Sequence, residues 1–159
     1  MLRAKVLTVS DGVAAGTRDD KSGGALVERL TATGYEVVEH RVSADGVDEV
    51  ATALASLCDG FAGLVVTTGG TGFGPRDLTP EGTRAVVDRE APGIAEAIRR
   101  ASDADGRSFG MLSRGVAGTC GKALVCNLPG SSSGALEGLD IVLPMAAHAL
   151  DLLAGGRPH

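Results

Sequence analysis

Residues 64–80, LVVTTGGTGFGPRDLTP, place an apolar run, a glycine- and threonine-rich loop, a charged pair and a helix-start signal in that order. Leu64-Val65-Val66 has the β-branched content of a buried strand. Thr67, Thr68, Gly69, Gly70, Thr71 and Gly72 follow it. Glycine lacks the Cβ that keeps another molecule away from the backbone, so successive N–H groups can form a concave nest for phosphate or another anion. Asp77, beside Arg76, suits Mg²⁺, a hard cation that takes carboxylate and phosphate oxygens together. Thr79 is a good N-cap, Pro80 fits the first helical position, and Glu81 suits the positive end of a helix. Such a series reads as a ligand site at the carboxyl end of a strand, where open α/β sheets bind.

Two other stretches belong with it. Asp45 stands just past a second strand, so a parallel arrangement brings it to the same sheet end as Asp77. Ser131 and Ser132 follow Pro129-Gly130 at the start of a helix, a place that favours anions. Each feature also has a plainer reading: the loop as a tight turn, Arg76–Asp77 as a surface ion pair, Asp45 as an N-cap, and the serines as ordinary caps. Two nucleotide signatures fail. In GVAGTCGKA (115–123), Val116 replaces the first P-loop glycine and Ala123 the magnesium-binding hydroxyl. Pro75 occupies the last glycine position of a dinucleotide fingerprint in the other loop.

The elements that must carry these residues alternate along the chain. Strands are expected at 4–10, 35–42, 63–67 and 123–128. Helices are expected from a Ser22 cap to Leu30, over 47–58, from Pro80 to Arg89, and over 94–101. Leu136 to Leu143 and Pro144 to Leu153 read as two further helices, because Pro144 ends one and begins the next. The segment 12–21 reads as a loop, 102–106 as a polar turn and 118–121 as a hairpin turn. The 47–58 helix is the clearest: Val47, Val50, Ala51, Leu54, Leu57 and Cys58 follow its apolar period. Strands alternating with amphipathic helices imply a parallel sheet with helices on both faces.

At 159 residues and 43% hydrophobic, the chain is expected to form one domain with an adequate core. No apolar run spans a bilayer, and the N-terminus has no long apolar region, so the expected location is cytoplasmic and away from the membrane. A net charge of −5, one tyrosine and no tryptophan argue against a nucleic-acid surface. Cys58 and Cys126 fall on apolar positions and read as free buried thiols. His40, His148 and His159 are too scattered for a zinc site. The 24 glycines, about twice the usual share, cluster in the loops between periodic segments.

Together TTGGTGFGPRDLTPE (67–81), SDG…GTRDDKSG (10–23) and NLPGSSSGA (127–135) resemble the MogA/MoaB family of molybdenum-cofactor biosynthesis. The related domain of gephyrin belongs to the same group. The likeness runs from the first strand to the last helices, and the TGGTG…RD-x-TPE combination is highly specific. The resemblance implies a three-layer α/β domain over residues 1–159, with an open, mostly parallel sheet. It implies a homotrimer, to whose interface Ile94, Ile98 and Met111 could contribute.

The implied reaction is transfer of AMP from ATP to molybdopterin, releasing pyrophosphate, with Mg²⁺ as cofactor, ATP as co-substrate and hand-over to the molybdenum insertion enzyme. By position in the motifs, Asp45 and Asp77 match the essential acids and metal ligands. Thr68, Gly69, Gly70, Thr71 and Gly72 match the loop around phosphates or pterin. Pro129, Gly130, Ser131 and Ser132 match the pterin and phosphate pocket, and Ser10 and Asp20 its N-terminal part. The alternative is a molybdopterin-binding protein of the same pathway without adenylylation; a scaffold like gephyrin would need further domains. Having Asp45 and Asp77 together favours the enzyme.

Overall fold

The computed structural model describes residues 1–157 and 159, with residue 105 described by its backbone alone. Strand β1 (Arg3–Val9) leads into a one-turn helix α1 (Asp11–Ala14), then helix α2 (Lys21–Ala32), strand β2 (Glu36–Ser43) and helix α3 (Val47–Cys58). Strand β3 (Gly63–Thr68) precedes α4 (Thr79–Arg84), the two-residue strand β4 (Arg89–Glu90) and α5 (Pro92–Ser102). Two 3₁₀ turns at Ala104–Gly106 and Gly110–Leu112 lead to strands β5 (Ala117–Cys120) and β6 (Ala123–Leu128) and the long helix α6 (Ser132–Leu153).

All six strands form one sheet in the order β2-β1-β3-β6-β5-β4. The first four run parallel, and β5 and β4 are antiparallel at one edge. Side chains alternate across the sheet with period two. On one face Val6, Leu64, Val66, Leu124, Cys126 and Leu128 pack with Leu26 and Leu30 of α2, Ile98 of α5, and Leu139, Val142, Ala146 and Leu150 of α6. On the other face Leu7, Val9, Val65 and Val125 pack with Val50, Leu54 and Leu57 of α3. Every residue of β3 and β6 is buried, which is why these strands read as unbroken apolar runs. Each fully buried Leu or Val side chain contributes roughly 1.5–3 kcal/mol of transfer free energy. The sheet with helices on both faces is the expected three-layer α/β architecture. No helix among the described residues is long and apolar enough to cross a membrane.

Several expected boundaries move, each for a tertiary reason. Helix α2 starts at Lys21, capped by Asp20, whose Oδ1 accepts from Gly23 N–H at 3.0 Å. Ser22 lies inside the helix. Residues 12–14 of the expected loop join Asp11 in α1, with Ser10 as its cap. Helix α4 stops at Arg84, because Asp88 N–H donates to Thr119 O at 2.7 Å and residues 89–90 pair with β5. The hairpin turn falls at Gly121-Lys122, where Gly121 takes φ +58°. Helix α6 is continuous through Pro144. The proline removes the bond to the Asp140 carbonyl, but Leu139, Val142, Ala146 and Leu150 keep one buried stripe across it, and their packing offsets the loss. Ile98 is only 4% exposed and belongs to the core, so it offers nothing to an interface. Met111 is exposed, and Ile94 packs against the core from its edge.

Candidate functional site

The carboxyl ends of β1, β3 and β6 stand abreast, with Thr8 opposite Thr68 and Thr68 opposite Leu128. The three following loops therefore meet above the middle of the sheet. Gly69 and Gly70 both take positive φ, +101° and +70°. A Cβ on Gly130 would lie 3.3 Å from Gly69 Cα, so the β3 and β6 loops touch backbone to backbone. Thr68 Oγ1 donates to Pro129 O at 2.7 Å and joins them further.

The glycine loop's carbonyls are taken up inside the protein. Gly69 O accepts from Thr79 Oγ1 at 2.9 Å and Gly70 O from Thr79 N–H at 3.0 Å. Thr71 O accepts from Arg114 N–H at 2.8 Å and Gly72 O from Arg114 Nε at 2.9 Å. Thr79 is thus no N-cap: Leu78 holds that position without a side-chain cap, and the buried Thr79 hydroxyl turns back to brace the loop. Arg114 also donates to Asp77 O and pairs with the Glu81 carboxylate, holding that carboxyl below its ordinary range. Below the loop lies a buried polar floor. Asn127 Nδ2 donates to Thr67 Oγ1 and Thr83 Oγ1, both at 3.0 Å, and its Oδ1 accepts from Val116 N–H at 3.1 Å. Asn127→Leu keeps the volume but leaves the Val116 N–H and two threonine hydroxyls short of partners. It is expected to cost about 2–3 kcal/mol, seen as a lower urea midpoint with an unchanged slope.

Asp45 and Asp77 face this loop from two sides. A Cβ on Gly70 would lie 3.1 Å from Asp45 Oδ1, and one on Gly72 would lie 3.0 Å from Asp77 Oδ2. Neither carboxylate has its plainer role. Gly46 is the N-cap of α3, so Asp45 is free of capping; its Oδ2 accepts from Asp11 N–H at 2.9 Å. Arg76 pairs with Asp11 instead of Asp77, while Asp77 Oδ2 accepts from Gly74 N–H at 2.9 Å. Burial pushes the Asp45 carboxyl above its ordinary value, helped by the charges of Asp11 and Asp77 and opposed by the Asp11 N–H and Arg76.

A raised acid binds its proton more tightly when folded, so its ionisation costs stability as pH climbs from the unfolded to the folded value. Asp45→Asn keeps an acceptor for Asp11 N–H and carries no charge. It is expected to raise the melting temperature at pH 7, read by thermal melting of both proteins side by side. The gain should vanish below about pH 4, where the native carboxyl is itself protonated. An unchanged or lower melting point at pH 7 would show that the buried charge is fully compensated.

Two adjoining cavities open over the loops. One, of about 660 Å³, is lined by Ser10, Asp20, Asp45, Thr68, Gly69 and Ser132, with Arg18 and Lys21 at its side. The other, of about 500 Å³, is lined by Thr71, Gly72, Pro129, Phe109 and Leu112. Gly70, Asp77, Gly130 and Ser131 line both. Ser10, Asp20, Asp45, Thr68 to Gly72, Asp77 and Pro129 to Ser132 each lie in one lining or the other, whereas Arg76 and Thr79 lie in neither. Asp20 sits there with its carboxylate engaged, accepting from Gly23 N–H and Thr8 Oγ1 and standing 2.9 Å from His40 Nε2. Ser131 caps α6, its Oγ accepting from Gly134 N–H at 3.1 Å.

The residues fit a divalent cation. Asp45 Oδ1 and Asp77 line a common cavity beside backbone N–H groups, and hard oxygen donors with room for phosphate and water are what Mg²⁺ takes. Among the described residues no group of three or more His, Cys, Asp or Glu could hold a metal ion by itself. Cys58 and Cys126 line neither cavity, and burial pushes both thiols up to about 12, with Cys120 beside Cys58 adding to its rise.

Arg114, Glu81, Asp11 and Asn127 were missed as site-building residues. Arg114 lies in a stretch without period, 108–122, and Asn127 sits in a strand where only its buried partners give it meaning. Asp11 had a local signal, its place next to Ser10 at a strand end.

Comparison with known proteins matches residues 5–148 to the family model described as probable molybdopterin binding domain. A molybdopterin adenylyltransferase of Helicobacter pylori is 37% identical over 153 residues, covering 94% of this chain and 86% of that protein. A molybdenum cofactor biosynthesis bifunctional protein of Chlorobaculum tepidum is 36% identical over 153 residues, and the chain spans about half, 49%, of its length. The crystal structure of the molybdopterin biosynthesis enzyme MoaB from Thermus thermophilus superposes with a TM-score of 0.90 at 43% identity, covering 98% of each chain. The parallel sheet, the loops that meet at its carboxyl end and the match across nearly the whole sequence agree, and the chain belongs to the MogA/MoaB family of molybdopterin-binding domains.

Proposed function

We propose that this chain is a molybdopterin adenylyltransferase, moving AMP from ATP to the terminal phosphate of molybdopterin. A phosphate oxygen of molybdopterin forms a bond to the α-phosphorus of ATP, the bond from that phosphorus to the β-bridging oxygen breaks, and pyrophosphate leaves. The observation that carries this reading is the pair of carboxylates, Asp45 and Asp77, facing one glycine loop where two cavities join. Two cavities sharing Gly70, Asp77, Gly130 and Ser131 suit two substrates whose phosphates must meet.

Such a transfer needs little covalent chemistry from the protein; positioning and charge stabilisation carry it. The N–H groups of Gly70, Thr71 and Gly72 hold phosphate oxygens on a loop already braced by Thr79 and Arg114, so they need no rearrangement as charge develops. Arg18 and Lys21 supply positive charge at the side of the larger cavity. Asp45 and Asp77 would hold Mg²⁺, whose positive charge would offset the negative charge that develops on the pyrophosphate. The product passes to the molybdenum insertion enzyme, and the working protein is a cytoplasmic homotrimer.

The test is anaerobic: purified protein, molybdopterin, ATP and Mg²⁺, following pyrophosphate and adenylyl-molybdopterin. Mg²⁺-dependent formation of both in equal amounts is the expected result. Molybdopterin binding with no pyrophosphate would leave a pterin-binding protein without transfer activity.

A further inference from the structure

Asp45 and Asp77 stand on different loops, after β2 and after β3, with β1 lying between those strands in the sheet. Carboxylates that share a cation must hold their geometry to within about half an ångström. Two residues, Arg76 and Asp11, join the two loops. Arg76, the neighbour of Asp77, donates from Nε to Asp11 Oδ2 at 2.8 Å and from Nη2 to Asp11 Oδ1 at 3.1 Å. The same Nη2 donates to the backbone carbonyl of Asp45 at 2.8 Å. Asp11 in turn is tied to Asp45 reciprocally: Asp45 N–H donates to Asp11 Oδ1 at 3.1 Å and Asp11 N–H to Asp45 Oδ2 at 2.9 Å. The second of these bonds falls on the Asp45 carboxylate itself and fixes which oxygen is left for a ligand.

We propose that Asp11 and Arg76 form a strap of positioning residues that sets the separation and orientation of the Asp45 and Asp77 carboxylates. The inference rests on reading those two carboxylates as the cation-holding pair of the proposed reaction. Arg76 suits this bridge because its rigid planar fork meets the Asp11 carboxylate through two nitrogens while Nη2 also reaches the Asp45 carbonyl, a fixed two-point geometry that the single ammonium nitrogen of lysine lacks. The side chains of the pair are 60% and 47% exposed, and an exposed ion pair contributes little to stability. Removing it therefore separates positioning from folding.

The experiment compares wild type with Asp11→Asn, Arg76→Met, Arg76→Lys and the double variant Asp11→Asn/Arg76→Met. The readouts are Mn²⁺–ATP affinity by electron paramagnetic resonance, turnover, thermal melting and crystal structures. Arg76→Met and Asp11→Asn are each expected to weaken Mn²⁺–ATP binding about tenfold, lower kcat at least as much and move the melting point by less than roughly 3 °C. The double variant should be hardly worse than the weaker single one, because both remove the same strap. Arg76→Lys should recover only part of the loss. Unchanged affinity and kcat in the singles, or fully additive losses in the double, would overturn the proposal. So would a crystal structure of Arg76→Met in which Asp45 and Asp77 keep their wild-type positions within about 0.5 Å. If wild type itself makes no adenylyl-molybdopterin, the reading as a transferase fails separately, and that crystal comparison still decides the strap.

Discussion

Asp77→Asn is expected to lower turnover by about 10³-fold or more while leaving the fold in place. The loop around it is held by contacts that do not need its charge. Arg114 grips the carbonyls of Gly72 and Asp77, Thr79 grips Gly69, and the Gly74 N–H finds an equivalent acceptor in the asparagine amide oxygen. What disappears is one negative charge and one hard oxygen donor at the junction of the two cavities. A loss of about 4 kcal/mol of transition-state stabilisation corresponds to that factor, a size typical of removing one well-placed electrostatic group. The comparison requires pyrophosphate release, circular dichroism and thermal melting on the same preparation. Turnover near wild type would remove Asp77 from the reaction, and a collapsed fold would mean its charge is structural.

Gly69→Ala should damage the protein in the opposite order, structure first and activity as a consequence. Gly69 adopts φ +101°, where an L side chain is strained, and an added Cβ would lie 2.2 Å from the carbonyl oxygen of Val9. That oxygen belongs to the end of β1, which is hydrogen-bonded to β2 on one side and β3 on the other, so it has little freedom to retreat. Gly130 presses on Gly69 from the β6 loop and closes the alternative route. Backbone strain and overpacking together are expected to cost about 3–5 kcal/mol, a fall of roughly 10 °C or more in melting temperature. Turnover should fall with it, because Gly69 holds the entry to the anion-binding loop. A variant that melts like wild type would show that β1 and β3 yield more readily than their pairing indicates.

The two results differ because the site is assembled from two kinds of residue. Asp77 stands on a loop braced by Arg114 and Thr79, so its replacement is expected to leave the structure in place. Gly69 is where three strand ends converge, so no other residue type fits without moving the sheet.

Much of this was legible along the chain. Leu64-Val65-Val66 and Leu124-Val125-Cys126 read as buried strands, because a strand covered on both faces is apolar at every position. Val50, Leu54 and Leu57 read as the inner face of α3, because helix periodicity is a local property. The glycine loop, Asp77 and the Pro129-Gly130-Ser131 turn announced a site at strand ends, since parallel strands carry their following loops to one side of the sheet. Their likeness to one family agreed with the fold that formed.

Partnership was not legible. Arg76 stands beside Asp77 in sequence yet pairs with Asp11, because successive residues in the loop point apart and β1 brings Asp11 within reach. Thr79 has every local mark of an N-cap, but its buried hydroxyl is claimed by Gly69 O. Pro144 should end a helix, and the packed stripe of α6 carries the helix through it. Ile98 looks available to a neighbour until α5 lies down on the sheet and covers it. Composition, period and glycine placement act over a few residues, so the sequence alone determined the four parallel strands, the main helices between them, their order and the end of the sheet where a ligand can bind, while the edge strands β4 and β5 and the helix α1 had no such local signal. Which charge meets which, and which hydroxyl braces the loop, depends on groups far apart in the chain, and only the packing of α2, α5 and α6 on one face and α3 on the other decided that.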